Sequence, residues 1–382
     1  DFDGIGGNLE IASCDKMPLL ADALRKEGFT EWNSSPYLPI DTLGFGSLYA
    51  FAQDPAMREL GREGMDFAYY LLAVHSQQGI FASSSGRTYI KEQFGNWSNC
   101  PSGLSWIGYG YGVPGHAGKG ITSYCLSDYE PPKEFAQWFS IPRGKEMICQ
   151  TTQGNDGYVD LYTYKTADYM MTSANDFHPG EPGHQENPFQ LTFNAVAQLW
   201  VTHPGERVLF GAARPSYWAG NGTLPKVNQY KAFAGLIYDI APEHPVDFTH
   251  LYLPSMEFDR CEVEGKWAFV QLGSAYAAVY CSNGMRMQDF GSNKDRECIA
   301  EGRRCIWLVR AAQADEFAAF EDFKAAMRGA ALDADAEGRR YRFVDPVYGE
   351  LRCQWGETLY VNDAPMQYSG FDNYGKLTMQ EK

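Results

Sequence analysis

Residues 146–173, EMICQTTQGNDGYVDLYTYKTADYMMTS, decide the fold. They divide into short runs of β-branched and aromatic residues, Glu146 to Thr152, Gly157 to Thr166 and Tyr169 to Ser173, with turn residues between them, and this spacing predicts strands. The same pattern continues downstream. It predicts strands over Ala195 to Thr202, Arg207 to Gly211, Trp267 to Leu272, Tyr276 to Cys281, Ile306 to Arg310, Tyr341 to Val344, Leu351 to Trp355 and Leu359 to Val361. Many short strands separated by turns make a β-sandwich of two sheets. One helix interrupts them, over about Asp315 to Ala330, with Phe317, Phe320, Phe323 and Met327 toward the core.

Upstream of residue 146 the period is helical. Asp15-Lys16-Met17-Pro18 reads as a cap followed by an early-turn proline, and Leu19, Leu20, Ala23 and Leu24 form an apolar stripe up to Gly28. A second helix begins near Ile40 or Asp41 and stops by Asp54-Pro55. A third runs from Pro55 to His75, with Leu60, Gly64, Phe67, Ala68 and Leu71 on one face. From Gly79 to Arg143 the chain turns rich in Gly, Ser, Pro and aromatics and reads as loops, which in a compact chain carry function. The expected class is therefore segregated α+β, divided into residues 1–143 and residues 144–382.

A net charge of -16 excludes nucleic acid and anionic membranes as partners, since no Lys/Arg-rich face is available to displace counterions. Aromatics at 15% suit wide sandwich cores and stacking on sugar rings. The nine cysteines form no CxxC pair and their count is odd, which fits reduced, buried thiols and a reducing, cytoplasmic setting. No apolar run reaches membrane-spanning length. The chain opens at Asp1 without Met, so export through an upstream segment stays open.

Two segments carry a resemblance. Glu31-Trp32-Asn33-Ser34-Ser35-Pro36-Tyr37, followed by Ile40-Asp41, resembles the E-x-N-S-x-x-Y signature of (α/α) toroid proteins acting on polysaccharides. Tyr162 to Thr166, Tyr169 to Met171, Ser173-Ala174, Pro179-Gly180 to Gln185 and Trp218 to Gly222 resemble the β-sandwich of heparinase II/III-like lyases. The resemblance implies a partial N-terminal (α/α) toroid followed by a large antiparallel sandwich, with a polysaccharide or oligosaccharide as substrate. A whole toroid needs more helices than fit before the strands begin. The resemblance thus implies either an upstream portion or a dimer or partner chain that completes it.

Elimination at a uronate needs the sugar carboxylate neutralised and a Tyr or His to move protons, which calls for Asn, Arg or His beside a Tyr in one cleft. Asn33 and Tyr37 from the signature, with His75, Arg87 and Tyr89 downstream, are the candidate catalytic residues, and Glu31 is a candidate for binding substrate. The bland reading of Asn33 is a helix cap, of Arg87 a loop salt bridge, and of His75 a cation at a helix C-terminus. A second cluster, Asp176, His178, His184, Gln185 and Glu186, surrounds a Gly/Pro turn. His178, His184 and Gln185 are expected to face substrate; a structural divalent metal there is the subordinate reading, since the spacing matches no ligand motif and no other cofactor is implied. Trp218 with Asn221 offers a sugar platform or an ordinary hairpin turn. His116 belongs to a glycine-rich loop without the spacing of a phosphate cradle, and His203 and His250 read as core histidines. The leading expectation is a polysaccharide lyase. Its rivals are a glycoside hydrolase using Glu31 and Asp41 as acid and base, and a non-catalytic glycan-binding protein.

Overall fold

A computed structural model describes residues 17–94, 99–112, 114, 120–154, 158–209, 211 and 213–382. The Asp15-Lys16 cap lies outside the described residues. Helices come mostly first: α1 (Met17–Glu27), α2 (Leu38–Phe51), α3 (Pro55–Val74), α4 (Ile90–Gln93), α5 (Cys100–Tyr109) and α6 (Ile121–Cys125). The large sheets begin at Lys145, so the class is α+β as expected.

Pro55 opens α3 with a φ already suited to a helix, and the Asp54 carboxylate accepts from the Ala56 amide at 2.9 Å. Gly61 and Gly64 let α2 and α3 meet at backbone distance. A Cβ on Gly61 would stand 2.5 Å from the Tyr49 nitrogen, and one on Gly64 would stand 2.3 Å from the Phe45 ring. Glycine also explains α5, which lies in the stretch expected to be loop. Gly108 is there for packing rather than turning, since a Cβ at that position would come within 2.5 Å of the Tyr69 ring.

The strands form a nine-stranded antiparallel sheet in the order Arg286–Met287, Glu297–Glu301, Phe248–Tyr252, Gln198–Thr202, Phe189–Thr192, Met170–Asn175, Val159–Lys165, Lys145–Gln153 and Lys376–Glu381. A six-stranded sheet packs on one face of it in the order Arg260–Glu264, Trp267–Leu272, Ala275–Cys281, Arg304–Gln313, Phe233–Asp239 and Lys226–Tyr230. Tyr162, Tyr164, Met171, Leu199 and Val201 from the first sheet share a core with Leu236, Val279 and Trp307 from the second. The opposite face of the large sheet takes the helices, with Met147 and Cys149 in the core that contains Tyr70 and Leu71 of α3.

The sandwich carries more than the two sheets read from the sequence. A five-stranded sheet running from Leu332–Asp335 to Ala364–Pro365 packs Phe343 on Phe233 at 5.7 Å between ring centroids. α7 (Phe320–Gly329) is shorter than the expected helix, and its Phe320 and Phe323 pack on Tyr276. Arg207 to Gly211 is corrected: its described residues form no strand. Strands such as Phe233–Asp239 went unread because burial on both faces removes the period-2 alternation. Among the described residues no helix is long and apolar enough to cross a membrane.

The close α2–α3 approach predicts that Gly61→Ala destabilises the fold by about 1–3 kcal/mol, because the clash is with backbone that cannot rotate away. Urea denaturation of wild type and variant measures it. An unchanged midpoint would contradict this packing.

Candidate functional site

The turn between α1 and α2 and the loop after α3 are stitched together by backbone bonds. α3 ends in the tight hairpin Ser76–Gln77 to Ile80–Phe81, with Gln78 and Gly79 at φ 52 and 84, which sends the chain back along the sheet. The Gly86 amide then donates to the Trp32 carbonyl at 2.8 Å, an approach so close that a Cβ on Gly86 would lie 2.6 Å from the Trp32 ring nitrogen. On its other side the loop pairs with an extended segment. Ser85 and Asn187 exchange backbone bonds of 2.9 and 2.7 Å, and the Thr88 amide donates to the Gln185 carbonyl at 3.1 Å.

These constraints gather most of the first cluster. Arg87 Nε lies 2.9 Å from the Glu31 carboxylate, and the guanidinium sits over the Tyr37 ring, 5.2 Å from its centroid. The Tyr37 and Tyr89 hydroxyls are 3.5 Å apart. Asn33, left-handed at φ 50, donates from Nδ2 to the Ser84 carbonyl at 3.3 Å. Gln185 donates from Nε2 to the Thr88 carbonyl at 3.0 Å. Among the described residues, four buried atoms in this group find no hydrogen-bond partner: Glu31 Oε2, Asn33 Oδ1, Gln185 Oε1 and Arg87 Nη1. Arg214, far away in sequence, lies over the Tyr89 ring at 5.3 Å. No local motif signals that contact.

Asp41, in the first turn of α2, lies near enough to Glu31 to feel its charge. Burial pushes its carboxyl up to about 8, reinforced by the nearby Glu31 charge. Burial also raises Glu31, with Arg87 opposing. Tyr37 is raised by its hydrogen bond to Tyr89 and then by burial, with Arg87 opposing. Burial thus favours the protonated form of Asp41, while the Arg87 contact favours the carboxylate of Glu31.

Other expected site residues lie elsewhere. His75 is corrected: it is buried under the sheet, its Nδ1 sharing a 3.0 Å hydrogen bond with Thr163 Oγ1, and burial lowers it to about 3, so it is a neutral core group. Trp218 is also corrected. It is 4% exposed and stacks on His250 at 4.1 Å, so it offers no face to a sugar. Asn221 is fully buried, accepting from the His203 amide and the Tyr238 hydroxyl and donating to the Glu186 carbonyl. His178 packs on Tyr158 and Phe177, with Nδ1 3.4 Å from Glu181. It borders the cluster only indirectly, through the contact of Phe177 with Trp32. His184 is exposed, pointing away from its neighbour Gln185. Among the described residues no group of three His, Cys, Asp or Glu side chains is arranged to hold a metal. His116 lies outside the described residues. His203 and His250 are core residues, as read from the sequence.

Compared with protein-family models and with curated proteins, the chain matches none of them.

Two pH effects on stability follow. Asp41 in the folded state titrates at about 8, above its unfolded value of about 4, so the native state holds the extra proton and stability is lost as pH rises through that window. Asp41 keeps some surface exposure, and water moderates the effect. Asp41→Asn is expected to gain about 1–3 kcal/mol at pH 7.5, a gain that shrinks toward pH 4. A denaturation series showing no pH-dependent difference would remove the perturbed carboxyl. His75 has the opposite sign: its folded value of about 3 lies below the unfolded one, so its contribution is intact above about 6.5 and lost as pH falls toward 3. Between pH 7 and 4.5 wild type should lose on the order of 2 kcal/mol more than His75→Gln, read from urea midpoints.

Proposed function

We propose that this chain is a carbohydrate-active enzyme that cleaves a glycan at the site formed by Glu31, Tyr37, Asp41, Arg87 and Tyr89. The observation that carries the proposal is the meeting, from two separate chain segments, of a carboxylate locked to an arginine and two tyrosine hydroxyls 3.5 Å apart, with a second carboxyl near enough to feel the first one's charge. The resemblance of residues 31–41 to toroid proteins acting on polysaccharides points to the same substrate class. In this reading α1 to α3 belong to a larger helical toroid. Further helices, from this polypeptide or a second copy, would cover the exposed Leu19, Leu43 and Phe51.

Hydrolysis fits the two carboxyls best. Protonated Asp41 gives its proton to the glycosidic oxygen as the bond to the anomeric carbon breaks. Glu31 takes a proton from the water that adds to that carbon, or attacks it directly before water does. The second reading is β-elimination on a uronic-acid-containing glycan, favoured by the Tyr37–Tyr89 pair and the unpaired Arg87 Nη1. There a tyrosine removes the C5 proton, a C4–C5 double bond forms as the C4–O bond breaks, and the leaving oxygen is protonated. Asn33 spends one of its two amide N–H groups on the Ser84 carbonyl.

The test is a panel of polysaccharides assayed for new reducing ends and for the ultraviolet absorbance of unsaturated products. Hydrolysis predicts reducing ends without the chromophore, and kcat reduced about 10²–10⁴-fold in both Glu31→Gln and Asp41→Asn. It also predicts kcat/KM falling as pH rises through about 8. An unsaturated product would transfer the assignment to elimination. Binding without shortening of any glycan would leave a non-catalytic glycan-binding protein.

A further inference from the structure

At one end of the six-stranded sheet two thiols meet. Cys281 ends the strand Ala275–Cys281, where it lies opposite Trp307, and Cys305 stands two residues back along the neighbouring strand on the same face. Their sulfurs are 3.3 Å apart, and both residues are 0% exposed. Among the described residues no other two cysteines are in hydrogen-bond contact. The pair lies only just beneath the surface, because Asn283 and Arg304 beside it are exposed and residues 282–283 turn out of the sheet. A water-sized reagent reaches the sulfurs when that strand end opens locally, with the core still folded. The chain between the two cysteines leaves their sheet altogether. From Cys281 it crosses to the nine-stranded sheet, supplies the strands Arg286–Met287 and Glu297–Glu301 at one side of it, and returns at Arg304. A bond between the two sulfurs closes a covalent ring around that crossing, and such a ring removes freedom from the unfolded chain.

We propose that Cys281 and Cys305 form a redox-sensitive staple between the two sheets, open as thiols in a reducing setting and closed to a disulfide by peroxide. The inference is independent of the glycan-cleaving reading. Cys305 is the attacking sulfur: burial opposes its ionisation, but hydrogen bonds from Cys281, Thr249 and Ser282 hold it below an ordinary thiol, while burial raises Cys281. The Cys305 sulfur attacks one peroxide oxygen and the O–O bond breaks, which leaves a sulfenic acid and releases hydroxide that takes up the thiol proton as water. The Cys281 sulfur then attacks the Cys305 sulfur. The S–O bond breaks, and the second oxygen departs as water with the Cys281 proton. Two thiols thus give up two electrons and two protons, and one peroxide becomes two waters. The sulfurs need only close from contact to the bonded separation of about 2.05 Å.

The full chain, reduced and then treated with hydrogen peroxide at pH 7.5, is alkylated in denaturant, digested without reductant and mapped by mass spectrometry. A peptide pair joined through Cys281 and Cys305 is expected, with a melting temperature raised on the order of 5 °C and restored by dithiothreitol. Cys281→Ala is expected to lose both the joined pair and the peroxide-dependent shift. If Cys281→Ala does not fold, the wild-type map decides alone. Recovery of both cysteines as free thiols overturns the inference, as does either one oxidised to a sulfinic acid or joined to a different cysteine. A 281–305 bond that leaves the melting temperature unchanged overturns the staple.

Discussion

The large sheet is covered on both faces, and the rest of the molecule adapts to that. Water reaches neither side of its central strands, so each polar side chain on the helix-facing surface must find a partner in the helical layer. Lys165 is 0% exposed, and its side-chain nitrogen donates to the Ala73 and Trp138 carbonyls at 2.9 and 2.7 Å, gripping the last turn of α3, while burial pulls its pKa well down. His75 meets Thr163. The Ser84 amide donates to Thr172 Oγ1 at 2.7 Å, and Thr192 Oγ1 donates to the Ala82 carbonyl at 2.7 Å. Through these bonds the sheet dictates where α3 ends and how residues 82–85 run, and so where Arg87 and Tyr89 stand.

That placement sets two carboxyls in different environments. Asp41 occupies the first turn of α2, where the exposed amides of a helix favour an anion. Its raised pKa therefore means that burial and the neighbouring Glu31 outweigh the dipole. Glu31 has a cation in direct contact and Asp41 has none among the described residues. The asymmetry is set by a single guanidinium, which the Gly86 close approach holds against the 31–37 turn.

Much of this pocket was legible in the sequence because its members are short-range neighbours on two turns. Asn33 tolerates the left-handed backbone, and Gly86 announces a tight approach next to Arg87. Trp218 and Asn221 misled for a physical reason. A Gly-Asn-Gly turn looks the same in sequence whether it lies on the surface or is roofed by the Glu186 and His203 segments. His75 misled similarly, since a helix end predicts exposure only if nothing packs beyond it. α5 was hidden because its glycines, read as turn formers, serve tight contact with Tyr69.

The second cluster shows how local geometry sorts residues that sequence groups together. Segment 184–187 is extended where it pairs with Ser85, and successive side chains of an extended chain point to opposite sides. Gln185 and Asn187 are buried against the loop, while His184 is exposed and Glu186 only partly covered. The imidazole that sequence proximity offered to the site is thereby turned outward, and the amide beside it is turned inward. Its Nε2 is anchored on the Thr88 carbonyl, as Asn33 Nδ2 is anchored on the Ser84 carbonyl from the opposite turn. Two side-chain amides from different segments thus pin the loop on both sides of Arg87, at Ser84 and at Thr88, which holds Arg87 and Tyr89 in place.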